Sequence, residues 1–260
     1  MKEKMSPFKT IKNEKLVFID ESLTAHNLWI TKQQSTILKL VNQYMWMSSK
    51  LLISLLNENE PESIKKDLRH LSANGYLRKA YFAVDDRSKS SGRVYCISDR
   101  GKFELRREGF QVNRYAELSS HSAEIVKEVL SGNQAMLMSH GVNTSCFVRK
   151  PIFTTSHFYK QCFRVAGYFL KDDEQFLFNS VRTHCRDEVE EKLTRMHKTL
   201  RHRNNITSSS LTTTIVFVCD SKEHMEWVKS IVEQSKLKKV RELKIEFTYD
   251  ALTNMQRIAA

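Results

Sequence analysis

Ser63, Lys65, Lys66, Arg69 and His70 fall within eight residues and suit one chemistry, the recognition of a polyanion. Lysine and arginine pair with phosphate oxygens. Arginine and small polar side chains also reach the hydrogen-bonding edges of bases. A second basic set, Arg87, Lys89 and Arg93, follows within 25 residues. Any one of these cations is an ordinary solvated charge. Together they ask for elements that turn them to one side.

The flanking sequence supplies such elements. Ile37, Leu38, Val41, Tyr44 and Met45 recur at spacings of three and four, which predicts a helix with Thr31 as N-cap. A break at Met45-Trp46-Met47 leads to Ser48, a second N-cap, and the stripe Leu51, Leu52, Leu55, Leu56. Pro61 then stands at a first helical position, Ile64, Leu68 and Leu71 form a buried stripe, and Asn74-Gly75 stops the helix. With that stripe inward, Ser63, Lys65, Lys66, Arg69 and His70 lie on the other faces. Residues 76–82 read as a strand, 85–92 as a hairpin tip carrying Arg87 and Lys89, and 93–97 as the returning strand. Ser98 caps a further helix ended by Gly109. Three helices followed by a hairpin predict a winged helix-turn-helix over 28–112, preceded by an arm or short strand over 1–27. The basic third helix and wing point to double-stranded DNA. A winged helix that binds protein, as an adaptor, is the competing reading.

Composition agrees. The 260 residues carry 42 Lys/Arg against 30 Asp/Glu, and the net charge of +12 favours nucleic acid or an acidic membrane surface. The excess is +7 over residues 1–118 and +5 over the remainder, so neither half holds it alone. The charged start lacks a signal-peptide core and no apolar run is long enough to span a bilayer. The five cysteines are odd in number, widely spaced and without a CxxC pair, which predicts a reduced, cytoplasmic protein with no disulfide frame and no structural zinc.

Residues 119–250 read as a mixed α/β domain. The expected elements are a helix over 120–130, short strands at 146–148 and 151–153, and a hairpin of 166–170 with 175–179. A charged helix over 187–202, a β-branched strand over 213–219, an amphipathic helix over 223–234 and a strand over 243–247 follow. Arg195, Lys198, Arg201 and Arg203 end the charged helix. They either complement its C-terminal dipole or form a second phosphate-binding surface.

Several residues carry a closer likeness. These are Ile64 through Leu71 to Gly75-Tyr76-Leu77, then Tyr95 and the helix start at Ser98–Gly101. In the second half they are His121, Arg164–Phe169, Gln175–Thr183, Lys192 and the strand from Thr213. Over about residues 28–235 the chain resembles the replication-relaxation family of plasmid and mobile-element proteins. That resemblance implies a winged helix joined to a domain like PD-(D/E)xK nucleases, with a restriction-endonuclease-like fold. It also implies a setting in transcriptional regulation, replication or transfer, with replication or transfer proteins as further partners.

The departures bear on chemistry. A nuclease of this type needs carboxylates for Mg²⁺ and a lysine for the attacking water. Ala166, Asn179 and Val181 stand where the resemblance calls for acids, and only Arg182 and Lys192 remain. The expectation is therefore a nuclease-like scaffold with no catalytic residues, no metal and no cofactor. Asp172, Asp173, Glu174, Asp187, Glu188, Glu190 and Glu191 read as solvated or ion-paired acids, and His184, Cys185, His197 and His202 match no zinc spacing. The competing reading is a Mg²⁺-dependent nuclease using Asp172, Asp173 or Glu188. The expected state is a homodimer, since regulators of this class read two half-sites.

Overall fold

The computed structural model describes residues 15–19, 29–56, 60–83, 89–112, 123–140, 167–171, 174–182, 185–206, 212–240 and 243–249. Among them are seven helices and two four-stranded sheets, a mixed α+β architecture. No described helix is long and apolar enough to cross a membrane. The chain divides between Leu130 and Ser131 into two compact units.

The N-terminal unit runs β1 (Lys15–Ile19), α1 (Lys32–Tyr44), β2 (Met47–Ser48), α2 (Ser49–Leu56), α3 (Pro61–Ala73), β3 (Leu77–Ala83), β4 (Lys89–Ile97) and α4 (Asp99–Arg107). Local sequence accounts for the start of each helix and for the end of α3. Thr31 opens α1 in a capping box: its hydroxyl accepts from the Gln34 N–H at 3.2 Å, and its own N–H donates to Gln34 Oε1 at 3.1 Å. Thr31→Ala removes one of these bonds and is expected to cost about 1 kcal/mol. Urea unfolding of the paired proteins checks it. Ser48 Oγ accepts from the Leu51 N–H at 3.1 Å. Pro61 is the first residue of α3. Gly75, at φ +71°, closes α3 with bonds from its own N–H to Ser72 O and from the Tyr76 N–H to Leu71 O. Ser98 Oγ accepts from the Gly101 N–H at 3.0 Å and starts α4.

The break after α1 is a γ-turn. The Trp46 N–H donates to Tyr44 O at 2.7 Å across Met45, whose φ is +63°. A bulky residue at positive φ costs on the order of 1–3 kcal/mol and persists where surroundings dictate it. Here Met45, Trp46 and Met47 are all buried. The turn delivers β2 to the sheet, where Met47 pairs with Tyr95 and Ser48 with Val94.

The sheet order is β1-β3-β4-β2, with every described pairing antiparallel. One core holds Ile37, Leu38, Val41, Leu52, Ile64, Leu68, Leu71 and Leu105, all at most 1 % exposed. A second cluster joins Met45, Trp46, Ala80, Phe82 and Val94 to Ala123, Val126 and Val129. Those last three belong to α5 (Ala123–His140).

One open reading is decided and two expectations change. Of the two readings of the start, arm or short strand, residues 15–19 take the second, as an edge strand, because Leu16 and Phe18 pack on the second cluster. The returning strand starts at Lys89, four residues before the expected Arg93, because Ala83 pairs with Lys89 after a register shift beyond Tyr81. The helix placed wholly in the second domain extends to His140, and its first half covers the N-terminal sheet. Leu55 and Leu56 of α2 are only half-buried.

The C-terminal unit holds β5 (Gly167–Lys171), β6 (Glu174–Ser180), α6 (Arg186–Ile206), β7 (Thr212–Cys219), α7 (Lys222–Gln234), a 3-10 turn (Lys236–Lys239) and β8 (Leu243–Tyr249). The order is β5-β6-β7-β8, antiparallel at the first pair and parallel at the other two. Both parallel pairs are joined through helices, as parallel pairing requires. Val189, Leu193, Met196 and Leu200 of α6 face Leu177, Ile215, Phe217, Val228 and Ile231. The strand candidates at 146–148 and 151–153 lie outside the described residues.

Candidate nucleic-acid interface

Helix α3 positions the basic set. Ile64, Leu68 and Leu71 are at most 1 % exposed. Helical geometry places Glu62, Lys66 and Arg69 on the opposite side, with Lys65 on one flank and Ser63 and His70 on the other. The burial pattern agrees: Glu62, Lys65, Lys66 and Arg69 are exposed, while Ser63 and His70 are half-buried. Ser63 Oγ donates to Gln33 Oε1 of α1 at 3.3 Å. The His70 ring lies 3.4 Å from Asn74 Nδ2, and that amide donates to His70 O at 2.9 Å. Asn74 O in turn accepts from Arg100 Nη1 at 2.8 Å. Ser63 therefore ties the start of α3 to α1, and Asn74 ties its end to Arg100, with the His70 ring against Asn74.

The helix is held firmly. Gln34 Nε2 donates to Asp67 Oδ1 at 2.8 Å, which ties α1 to the flank of α3. On the exposed side Lys65 Nζ sits 2.6 Å from Glu62 Oε1. The hydrogen bond and charge of Lys65 hold the Glu62 carboxyl below its usual range. Arg69 Nε donates to Lys65 O at 3.3 Å. Neither Lys66 nor Arg69 has an ion-pair partner among the described residues. Two cations thus face water without an ion pair, although the Glu62 charge is felt at Arg69, while a third is partly neutralised.

Glu62 is the residue that sequence reasoning missed. The signal was its spacing: it precedes Lys66 by four and Arg69 by seven, so it shares their face.

On the hairpin, Arg93 is exposed and pairs across to Tyr81. Lys89 lies at the start of β4, opposite Ala83, with its side chain outside the described part. Arg87 lies outside the described residues. On α6 one of the four expected cations is already paired. Arg195 is ion-paired with Glu191, Lys198 is exposed, and the side chains of Arg201 and Arg203 on α6 lie outside the described part.

No family model, curated protein or solved structure matches this chain. The reading of the site therefore rests on its own geometry.

In the C-terminal unit Asn179 and Val181 are buried, and Ala166 lies outside the described residues. Lys192 Nζ donates to Ser180 O at 2.7 Å, pinning α6 to the end of β6. Arg182 pairs with Asp220 at the end of β7. Glu174 accepts from Thr214 Oγ1 at 2.6 Å and from Lys244 Nζ at 3.0 Å, bonds that keep its carboxyl below the usual range. Arg186 lies 2.6 Å from Glu190. Asp187 and Glu188 are exposed on α6. Cys185 is exposed and His197 half-buried; His184 and the His202 side chain lie outside the described part, as do Asp172 and Asp173. Among the described residues no three His, Cys, Asp or Glu are grouped to hold a metal ion. Burial pushes the Cys96 and Cys219 thiols up to about 12, so neither is a ready nucleophile.

Proposed function

We propose that the N-terminal unit is a winged helix-turn-helix that reads double-stranded DNA. Helix α3 would enter the major groove, and the β3–β4 hairpin would be the wing. The observation that carries the reading is the pairing of a buried stripe, Ile64, Leu68 and Leu71, with an opposite face bearing Lys66 and Arg69. Support comes from the element order and from β2, which pairs with β4 and knits the helices to the hairpin. Lys66 suits phosphate, and Arg69 suits phosphate or the guanine edge. Lys65, Arg93, Lys89 and Arg87 would add backbone contacts, with Ser63 and His70 steadying the helix. The protein acts as a homodimer in the cytoplasm. The C-terminal unit is a nuclease-like scaffold that handles partners rather than metal chemistry. The mobile-element setting, in transcriptional control, replication or transfer, follows from the family resemblance.

The test is binding to a labelled duplex from the region upstream of the protein's own coding sequence and to a scrambled duplex, across a salt series. A salt-sensitive preference for the first supports the reading. No binding to either near physiological salt sinks it and favours the protein-binding adaptor. Mg²⁺-dependent cleavage, lost on changing Glu188, would support the nuclease alternative.

Glu62 adds a sharper expectation. A carboxylate on a phosphate-facing helix repels the backbone and occupies Lys65. Glu62→Gln is expected to strengthen binding to scrambled DNA and steepen its log–log salt slope by about 0.9, one phosphate neutralised by the freed lysine. A filter-binding titration at several salt concentrations checks it, and an unchanged slope would remove Lys65 from the interface.

A further inference from the structure

Helix α4 turns an unusual stripe to solvent. Asp99, Phe103, Arg106 and Arg107 are all exposed, and Phe103 is 65 % accessible, although it lies mid-helix beside the fully buried Leu105. Asp99, Phe103 and Arg106 are spaced four and then three apart, so they form one line about two turns long. Phe110, 43 % exposed, continues it just past the helix end, with Lys39 Nζ 3.8 Å from its ring centre. The Asp99 side chain is almost wholly accessible although Lys102 Nζ lies 2.9 Å away, which leaves the carboxylate able to take a second cation.

The order along the line is acid, aromatic, base. That order is complementary to its own reverse. We propose that the exposed face of α4 is where two copies of this chain meet, antiparallel about a two-fold axis beside Phe103. Each Asp99 then faces the other copy's Arg106, twice over, and the two Phe103 rings bury one another. A two-fold contact uses the same patch on both partners, and this patch satisfies it. A parallel approach sets Arg106 against Arg106. An anionic surface such as a membrane or DNA is opposed by Asp99 at the opening of the stripe.

Helix α1 bonds to both helices: to α3 through Gln34 and Asp67, and to the end of α4 through Ser35 Oγ, which donates to Glu108 Oε2 at 2.6 Å. The proposal needs only the exposure and charge order of α4, and it stands whether or not α3 reads DNA. A seam built on one nine-residue helix falls at the small end of specific interfaces, so the dimer is weak and concentration-dependent.

The experiment is sedimentation velocity on the full chain from about 1 to about 100 μM, the range in which so small an interface associates. The wild type should pass from monomer to dimer. Phe103→Ser removes an exposed ring and should raise the dimer Kd at least about tenfold with an unchanged circular dichroism spectrum. Asp99→Arg alone and Arg106→Asp alone should each stay monomeric, because each sets like charges against each other. An equimolar mixture of these two should restore the dimer, since both cross-contacts are again acid to base. A wild type monomeric throughout overturns the proposal, as does a dimer indifferent to Phe103→Ser. So does a mixture of two folded variants that stays monomeric.

Discussion

Gly101→Val is expected to lower the stability of the N-terminal unit by several kcal/mol, and Gly101→Ala by about 2 kcal/mol, as overpacking of a closed contact does. Gly101 sits in the first turn of α4, where a Cβ would lie 2.3 Å from Tyr76 O and 2.8 Å from Ile97 Cγ1. The nearer obstacle is a backbone carbonyl with two bonds to keep: the Ser98 N–H donates to it at 3.1 Å and Ser98 Oγ at 2.9 Å. Alanine gains roughly 1 kcal/mol in helix propensity over glycine, which offsets only part of the cost. Gly92 provides the control, because a Cβ there meets nothing within 4 Å. Urea unfolding followed by tryptophan fluorescence in a Trp227→Phe background isolates the unit, since Trp29 and Trp46 both belong to it. Equal midpoints for Gly101→Ala and Gly92→Ala would refute the close packing of α4 on Tyr76.

The second large effect concerns binding. Changing Lys65, Lys66 and Arg69 together to Ala is expected to weaken binding to the preferred duplex about 100- to 1000-fold. Phosphate contacts and one base contact of about 1–3 kcal/mol are lost at once. The salt slope should fall by about 0.9 where Arg69 reads a base edge and by about 1.8 where it holds phosphate, rather than by the roughly 2.7 of three neutralisations. The reason is local: Lys65 is already engaged by Glu62, whereas Lys66 and Arg69 have no ion pair among the described residues. Single variants should therefore rank Arg69 and Lys66 above Lys65. All three side chains are exposed, so stability should stay within about 0.5 kcal/mol of wild type. Lys65→Ala as damaging as Arg69→Ala would mean that the Glu62 pair does not persist on DNA.

How the helices α1 to α4 begin and end was legible because those rules are local. Thr31, Ser48, Pro61, Gly75, Ser98 and Gly109 each act on backbone groups within a few residues, and each stands where sequence placed it. The inward stripe of α3 followed from helical spacing, and with it the outward set of Lys65, Lys66 and Arg69.

Long-range pairing was beyond that reach. Nothing within residues 15–19 says that they lie against β3 some sixty residues later, because that pairing is decided by Leu16 and Phe18 finding a cluster built from distant elements. The same cluster recruits the first half of α5, so the boundary falls inside a helix rather than in the linker sequence suggested. Charge partners are also tertiary or face-dependent. Ser63 bonds to α1, Lys192 holds a strand carbonyl, and Glu62 takes up Lys65. Sequence by itself determined which residues turn outward, since side-chain direction follows backbone periodicity. Only the tertiary structure decided which of those residues are braced, neutralised or left with charge to offer a partner. That depends on neighbours brought close by folding, not on spacing along the chain.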